Sequence, residues 1–258
     1  LIDAEKTQVL DEIRSKRHNI GNHSNPIYQE IYRRPATAAK ASLQGAYYLI
    51  SGKHSRVFNP SGGTHHGFPD SANGFCFVND PAIALTTLYH NTSKKIAYVD
   101  IDAHHPDGVQ DNFSHLERII LFSVHEADRW PRTGKKDDVG GGNAHNYPLP
   151  RGSNDKDLNE VITNQVLPLL LAFNPDLLPI IIELPSVSFC PASCPIITAL
   201  LTVDDASSLP EFTPIIIVFD VVTSFLPLSL PRTIFSSPVV NNSALLVPII
   251  IFLLPVFK

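Results

Sequence analysis

The alternation of apolar strands with helices along residues 1–176 is the feature that most restricts the fold of this 258-residue chain. Apolar runs predict strands at residues 56–58, 95–101 and 118–125. Helices are predicted at residues 3–16, 35–50, 81–90, 109–113 and 154–172. Strands that alternate with helices require right-handed crossovers and a parallel sheet. We therefore expect an α/β fold in which helices cover both faces of a parallel sheet.

Capping residues mark the expected ends of these helices. Asp3 is the predicted N-cap of the first helix, in which Ile13 belongs to the apolar face. Asn79 or Asp80 is expected to cap the helix that starts with proline at residue 81. Pro168 should kink the last helix, because proline lacks the backbone N–H that an α-helix needs.

The chain changes character near residue 176, so we treat residues 1–176 as the α/β domain and residues 177–258 as a tail. All 13 glycines lie at or before Gly152, and all 11 histidines lie at or before His145. The 82 residues of the tail contain 7 charged residues and 11 prolines, several of them inside apolar runs. Proline interrupts both helices and central strands, and packed domains need glycine at turns. The local signals in the tail therefore contradict one another.

Three interpretations of the tail remain open. A membrane segment would have to lie within residues 233–257, which carry no charge. Its most apolar part is shorter than the ~20 residues that span a bilayer and is interrupted by prolines. The tail could instead be a divergent folded half, or it could be translated in a shifted reading frame. We favour the shifted frame, which the nucleotide sequence can test.

Composition excludes some partners and suggests a compartment. A net charge of −5 provides no basic surface for nucleic acid or an anionic membrane, so neither is expected as a partner. The three cysteines are odd in number and lack the spacing of a disulfide framework, which favours the reducing cytoplasm. The chain contains no methionine, even at position 1, and we therefore expect an N-terminal truncation.

A candidate metal site follows the second predicted strand, in residues 100–108 (DIDAHHPDG). Extended backbone alternates its side chains, so Asp100, Asp102 and His104 can project to the same side. Two carboxylates and an imidazole suit a divalent transition metal, with zinc as the first candidate. A catalytic zinc needs three protein ligands and one open position, and this run is expected to supply two of the three.

Two adjacent histidines, His65 and His66, lie in the glycine-flanked loop of residues 62–68 (GGTHHGF). They follow a predicted strand, and open parallel sheets carry their sites at the carboxyl ends of strands. Two histidine–aspartate pairs beside one metal would supply a general base and a general acid. Solvated loop histidines are the simpler alternative. His125 also ends a strand, and we expect it to pack or to support the site rather than bind metal.

Three successive segments, residues 62–68, 73–80 and 98–108, resemble signatures of the histone deacetylase family of zinc amidohydrolases. Residues 33–38 and 130–134 are similar to further stretches of that family, nearest its bacterial members. The resemblance covers about residues 18–176. It implies an arginase-like α/β fold, a Zn²⁺ cofactor, and removal of acetyl groups from acetylated lysine peptides or acetylated small amines.

The resemblance also implies a role for individual residues. The zinc ligands are Asp102 and His104, and the tandem catalytic histidines and their carboxylate partners are His65, His66, Asp100 and Asp107. The narrow substrate channel would be lined by Gly74, Phe75 and, in place of the usual aromatic residue, Trp130.

Two parts of the family pattern do not match. The third zinc ligand falls near Pro185, where Glu183 is the nearest carboxylate and only a weak substitute. The glycine-rich segment that carries the family's oxyanion-stabilising tyrosine does not occur in this sequence. Because the loss of one oxyanion donor costs about 100- to 1000-fold in rate, we expect this chain to be inactive or nearly so.

Two other function classes remain. A catalytically dead relative would keep the pocket and bind acylated ligands. The binuclear manganese ureohydrolases share the fold and the Asp-Ala-His pattern of residues 102–104, but they lack the tandem histidines and need more carboxylates.

Overall fold

A six-stranded parallel sheet forms the centre of the computed structural model, which describes residues 1–183 and 215–220. Its strands are β1 (Arg56–Asn59), β2 (Ile96–Asp100), β3 (Ile119–Glu126), β4 (Ala144–Leu149), β5 (Leu178–Glu183) and β6 (Ile215–Asp220). They lie in the order β1-β6-β5-β2-β3-β4, so β2 is a central strand. The predicted α/β class with a parallel sheet is confirmed.

Helices cover both faces of this sheet. They are α1 (Ile2–Thr7), α2 (Glu12–His18), α3 (Arg33–Ile50), α4 (Asp80–Asn91), α5 (Asp107–Phe113), α6 (Asp155–Val161) and α7 (Leu167–Phe173). Alternate residues of β2 face opposite ways, as extended backbone requires. Ile96 and Tyr98 pack in a core with residues of α3, α4 and α5, whereas Ala97 and Val99 pack in a second core with residues of α6 and α7. Burial of each large apolar side chain in these cores contributes about 1.5–3 kcal/mol.

The last helical segment is interrupted where Pro168 predicts a kink. A π-helical turn, Ile162–Val166, separates α6 from α7, and Pro168 lies in the first turn of α7. This is a favourable position for proline, because its missing N–H is not needed there. Asn154 caps α6, with its side chain accepting the backbone N–H of Lys156 at 2.9 Å.

The prediction of a single helix over residues 3–16 is wrong. Gln8 adopts a left-handed conformation with φ of 56° and ends α1. Asp11 then caps α2 by accepting the backbone N–H of Arg14 at 2.9 Å. Asp3 therefore lies within α1, and Ile13 is 81% exposed instead of belonging to a buried apolar face. The polar cap of Asp11 outweighs the helical periodicity on which the prediction depended.

The sheet continues past residue 176. Leu177, Leu178, Ile180 and Ile181 are buried, and Ile180 lies opposite Val99 in the β2–β5 ladder. Most of residues 177–258 lie outside the described residues, so the division at residue 176 and the shifted reading frame stay predictions. No helix in the described part of the chain is both long enough and apolar enough to cross a bilayer.

Candidate active site

Two histidine–aspartate pairs lie at the carboxyl end of β2. His65 Nδ1 lies 2.8 Å from Oδ2 of Asp100, the last residue of β2. His66 Nδ1 lies 2.6 Å from Oδ1 of Asp107, the first residue of α5. Both imidazoles and the Asp100 carboxylate are buried. The structure thus brings together four residues that are separated by up to 42 positions in the chain.

The two imidazoles also contact each other, because their Nε2 atoms are 3.0 Å apart. Each Nδ1–H donates to a carboxylate, which can only accept when ionised. The Nε2 contact is therefore a hydrogen bond only when one Nε2 carries a proton. Burial and the charge of His65 lower the pKa of His66 to about 4, so His66 is neutral near pH 7. With its Nδ1–H directed at Asp107, neutral His66 keeps a lone pair on Nε2, the atom that faces His65.

Asp102 and His104 form a neighbouring pair of potential metal donors. Oδ1 of Asp102 lies 3.0 Å from Nδ1 of His104 and 3.9 Å from Nε2 of His65. Burial opposes ionisation of Asp102, but the charge of His65 and the hydrogen bonds from His104 lower its pKa overall. A carboxylate and an imidazole at this separation have the donor chemistry of two zinc ligands.

The donor set around this pair is incomplete in the described part of the chain. Among those residues no group of three His, Cys, Asp or Glu side chains is arranged to hold a metal ion. Glu183, the weak substitute suggested by the sequence, ends β5, and its side chain lies outside the described residues. The described side chains therefore fit two ligands of a zinc site.

The loop that carries the tandem histidines is fastened to the start of α4. The fully buried Asp80 accepts hydrogen bonds from the backbone N–H of Gly63 at 2.9 Å, from the backbone N–H of Thr64 at 2.9 Å and from the Thr64 hydroxyl at 2.7 Å. Its other oxygen accepts from the Ser42 hydroxyl. Burial raises the pKa of Asp80, and these hydrogen bonds oppose that effect. Asp80 therefore anchors the loop, whereas Asn79 is the cap of α4.

Three further residues orient the site, and none of them was expected in this role from the sequence. Asn79 donates to the carbonyl oxygens of His65 and Gly67, both at 2.9 Å. The Tyr98 hydroxyl donates to Asp100 at 2.6 Å, and burial raises the pKa of Tyr98 so that it stays a donor. Tyr98 could have been identified from strand alternation, because it lies two positions before Asp100 on the same face of β2. Asn73, which lies 34 positions earlier in the sequence, donates to Oδ2 of Asp107 at 2.9 Å.

Of the residues expected to line a channel, Trp130 contacts both His66 and Gly74. The indole of Trp130 lies so close to Gly74 that a Cβ added there would be 2.1 Å from Cη2. The Trp130 and His66 rings meet edge to face with centroids 4.6 Å apart. Trp130 is 43% exposed and Phe75 is 61% exposed. The approach to His66 is thus bordered by aromatic surface and by bare glycine backbone.

His125 is a further buried imidazole near the site, and its titration has a measurable consequence. Burial and the charge of His105 lower the pKa of His125 to about 4. An unfolded histidine binds its proton near pH 6.5. Between these two pH values the unfolded chain binds more protons than the folded chain. The contribution of His125 to the unfolding free energy therefore rises with pH and reaches its full value above about pH 6.5.

We expect His125→Gln to remove this contribution. The unfolding free energy of the wild type should fall by up to about 3 kcal/mol more than that of the variant when the pH is lowered from 7 to 4. Urea denaturation of both proteins across this range measures the difference, and the shared titration of His66 cancels in the comparison. Parallel pH curves for the two proteins would contradict the prediction.

Sequence comparison relates this chain to proteins of known family. A model described as the histone deacetylase domain matches residues 3–182. The acetoin utilization protein AcuC of Bacillus subtilis (strain 168) is 30% identical over 167 residues, which are 62% of this chain and 43% of the relative. Histone deacetylase 8 of Xenopus tropicalis is 33% identical over 157 residues, which are 58% of this chain and 42% of the relative. The chain therefore spans less than half the length of these relatives.

Solved structures give a consistent result. The crystal structure of a histone deacetylase homologue from Aquifex aeolicus superimposes with a TM-score of 0.64 at 29% identity. The match covers 70% of this chain and 50% of the homologue. A structure of a histone deacetylase homologue in complex with SAHA matches equally well, with a TM-score of 0.64. The family model covers most of the chain and includes both histidine–aspartate pairs. The chain therefore belongs to the histone deacetylase family.

Proposed function

We propose that this chain carries the site of a zinc-dependent amidohydrolase that removes acetyl groups from acetylated lysine peptides or acetylated small amines. The observation that carries the proposal is the contact between two buried histidine–aspartate pairs, with Nε2 atoms 3.0 Å apart, beside Asp102 and His104. We further propose that the activity is impaired in this chain and that the protein acts in the cytoplasm.

The two imidazoles would divide the proton transfers of amide hydrolysis between them. His66 is neutral and can take a proton from an attacking water, while Asp107 holds its Nδ1–H. The proton can pass across the 3.0 Å contact to His65, which Asp100 orients and which would deliver it to the departing amine nitrogen. Amide hydrolysis needs both transfers, because an amine leaves readily only when its nitrogen is protonated.

Asp102 and His104 would hold the zinc ion through Oδ1 and Nδ1. When bound there, zinc would polarise the amide carbonyl and favour attack by water. The third ligand is not among the described side chains, and the sequence lacks the tyrosine that stabilises the oxyanion in the family. These two losses are the basis for proposing impaired turnover.

The approach to His66 suits a slender apolar chain. Trp130 and Phe75 offer exposed aromatic surface, and the indole of Trp130 packs directly on the bare backbone of Gly74. Burial of a methylene group is worth about 0.8 kcal/mol, so the stem of an acetylated lysine or polyamine would bind well in such a cleft. The net charge of −5 gives no reason to add nucleic acid as a partner.

A second candidate function is the binding of acylated ligands without turnover. It is favoured by one observation, the incomplete donor set around Asp102 and His104 in the described part of the chain. A manganese ureohydrolase is disfavoured, because that class lacks the tandem histidines that occupy the centre of this site.

Acetate release from an acetyl-lysine peptide in the presence of Zn²⁺ tests the proposal. We expect turnover about 100- to 1000-fold below that of full-length Xenopus tropicalis histone deacetylase 8, because an oxyanion donor is missing. His66→Ala should lower the residual rate by a further ~100-fold through the loss of acid–base catalysis. The exposed His115 provides a matched control, and His115→Ala should leave the rate unchanged.

Two results would contradict the proposal. Turnover at the level of the full-length enzyme would show that the activity is not impaired. Equal residual rates in the wild type and in His66→Ala would remove His66 from the reaction, and retained ligand binding would then favour the second candidate function.

A further inference from the structure

Two buried imidazoles outside the tandem pair fasten the loop that carries Trp130. His105 and His125 are 3% and 4% exposed, and their rings meet edge to face with centroids 5.0 Å apart. His105 Nδ1 lies 2.8 Å from the Thr133 hydroxyl. His125 Nε2 lies 3.0 Å from the carbonyl oxygen of Gly134. The two residues that follow the turn after Trp130 are therefore each held by one imidazole.

The direction of the hydrogen bond to Thr133 is fixed by a chain of partners. The carboxylate of Asp138 accepts from Gln110 Nε2 at 2.9 Å, which turns Gln110 Oε1 toward His105. That oxygen can only accept, so His105 carries its proton on Nε2 and donates it at 2.9 Å. His105 Nδ1 then has a lone pair, and it accepts the hydrogen of the Thr133 hydroxyl. Removal of that hydroxyl would leave a buried acceptor without its partner.

Gly134 fits between the two imidazoles. Its carbonyl accepts the Nε2–H of His125, while His125 Nδ1 lies 2.8 Å from the Ser123 hydroxyl. Gly134 has a φ of +72°, and a Cβ added there would be 2.2 Å from Cδ2 of His105. The backbone of Gly134 thus packs directly against the His105 ring, and a residue with a Cβ does not fit there. We call His105, His125, Thr133 and Gly134 the imidazole latch.

The loop depends on this latch because its own backbone is unfavourable. Asp128 and Arg132 adopt left-handed conformations with φ of 57° and 67°. Left-handed backbone is unfavourable for residues that carry a side chain. An open cleft of about 370 Å³ borders His105 and Thr133, so space is available into which a released loop can move.

We propose that His105 and His125 are positioning residues that hold Trp130 against Gly74 and so set the width of the approach to His66. All four of their ring nitrogens bond to Thr133, Gln110, Ser123 or Gly134. They therefore act through the indole wall and make no contact with substrate. The ligand class that this wall selects is an unbranched apolar chain, and this part of the inference rests on the proposed function.

Trp130 is the single tryptophan of the chain, so its fluorescence reports directly on the wall. Thr133→Val removes the hydroxyl that bonds His105, whereas Thr133→Ser keeps it. We expect Thr133→Val to raise the acrylamide quenching constant of Trp130 about twofold, because the indole is 43% exposed now and local opening would expose the rest. Thr133→Ser should restore quenching to the wild-type value.

A matched control separates positioning from a general loss of stability. Thr87 is a buried threonine of α4 that bonds the carbonyl of Ile83 at 2.7 Å, and Thr87→Val should leave the quenching of Trp130 unchanged. Gly134→Ala keeps every latch side chain but places a Cβ on the His105 ring, and it should raise quenching as Thr133→Val does. Wild-type quenching in both latch variants, or an equal rise in Thr87→Val, would overturn the proposal.

These fluorescence measurements need neither substrate nor metal. Unchanged rates in His66→Ala would overturn the proposed function and leave the quenching result in place. Unchanged quenching in the latch variants would overturn the positioning roles of His105 and His125 alone.

Discussion

Gly108→Ala is expected to lower the unfolding free energy by about 3 kcal/mol, at the upper end of the cost of overpacking. A Cβ at this position would lie 2.6 Å from the carbonyl oxygen of Gly67, 2.7 Å from that of His65 and 2.8 Å from the carbonyl carbon of His66. All three atoms belong to backbone, so no side-chain rotation can relieve the overlap. The tandem-histidine loop would have to move away from α5, and the hydrogen bond between His66 and Asp107 would lengthen.

Urea denaturation measures this loss, and Gly52→Ala is the matched control. Gly52 has a φ of +67° but no heavy atom within 4 Å of an added Cβ. It should therefore show only the conformational cost of alanine in left-handed backbone, about 1 kcal/mol. A smaller loss in Gly108→Ala than in Gly52→Ala would show that the loop does not pack on Gly108 as described.

Asp80→Ala is expected to cost about 3–5 kcal/mol, because several buried neutral donors lose their acceptor together. The substitution leaves the hydroxyl of Ser42 and the backbone N–H groups of Gly63 and Thr64 without their acceptor, whereas the Thr64 hydroxyl can still donate to the carbonyl oxygen of Val78. Each unsatisfied buried donor costs about 1–3 kcal/mol before the loop relaxes. The loop that presents His65 would lose its anchor, so turnover should fall together with stability.

Asp80→Asn should cost about half as much as Asp80→Ala, because its amide oxygen still accepts from Gly63 and Thr64. Burial already raises the pKa of Asp80, so a neutral group is better tolerated here than at an exposed position. Chemical denaturation of both variants checks the order of the two losses. Asp80→Ala within about 1 kcal/mol of the wild type would show that the carboxylate does not anchor the loop.

Three of the six described strands, β1, β2 and β3, could be predicted from the sequence because their signals are local. In contrast, β5 and β6 lie in the part of the chain that was treated as a tail. The apolar run of β2 and the proline that opens α4 each act over a few residues, and both elements form close to where they were expected. The polar edge strand β4 was not predicted, because Ala144–Leu149 lacks an apolar run and edge strands tolerate proline. At Gln8, a single left-handed residue ended a helix whose periodicity continues past it.

The site could be predicted only in part, because its decisive contacts join distant residues. The family resemblance matched His66 with Asp107, which are separated by 41 positions. Nothing in the sequence linked Asp80 to Gly63 or Thr133 to His105, since such pairs depend on how the loops cross in space. The expectation that His125 supports the site agrees with its hydrogen bond to Gly134, but its partner could not be named.

Calorimetric titration of Zn²⁺ into the wild type and into His104→Ala tests most directly whether Asp102 and His104 form a metal site. We predict one weak zinc site in the wild type, an affinity at least about tenfold lower in His104→Ala, and no change in His115→Ala. Identical zinc isotherms for the wild type and His104→Ala would contradict the account.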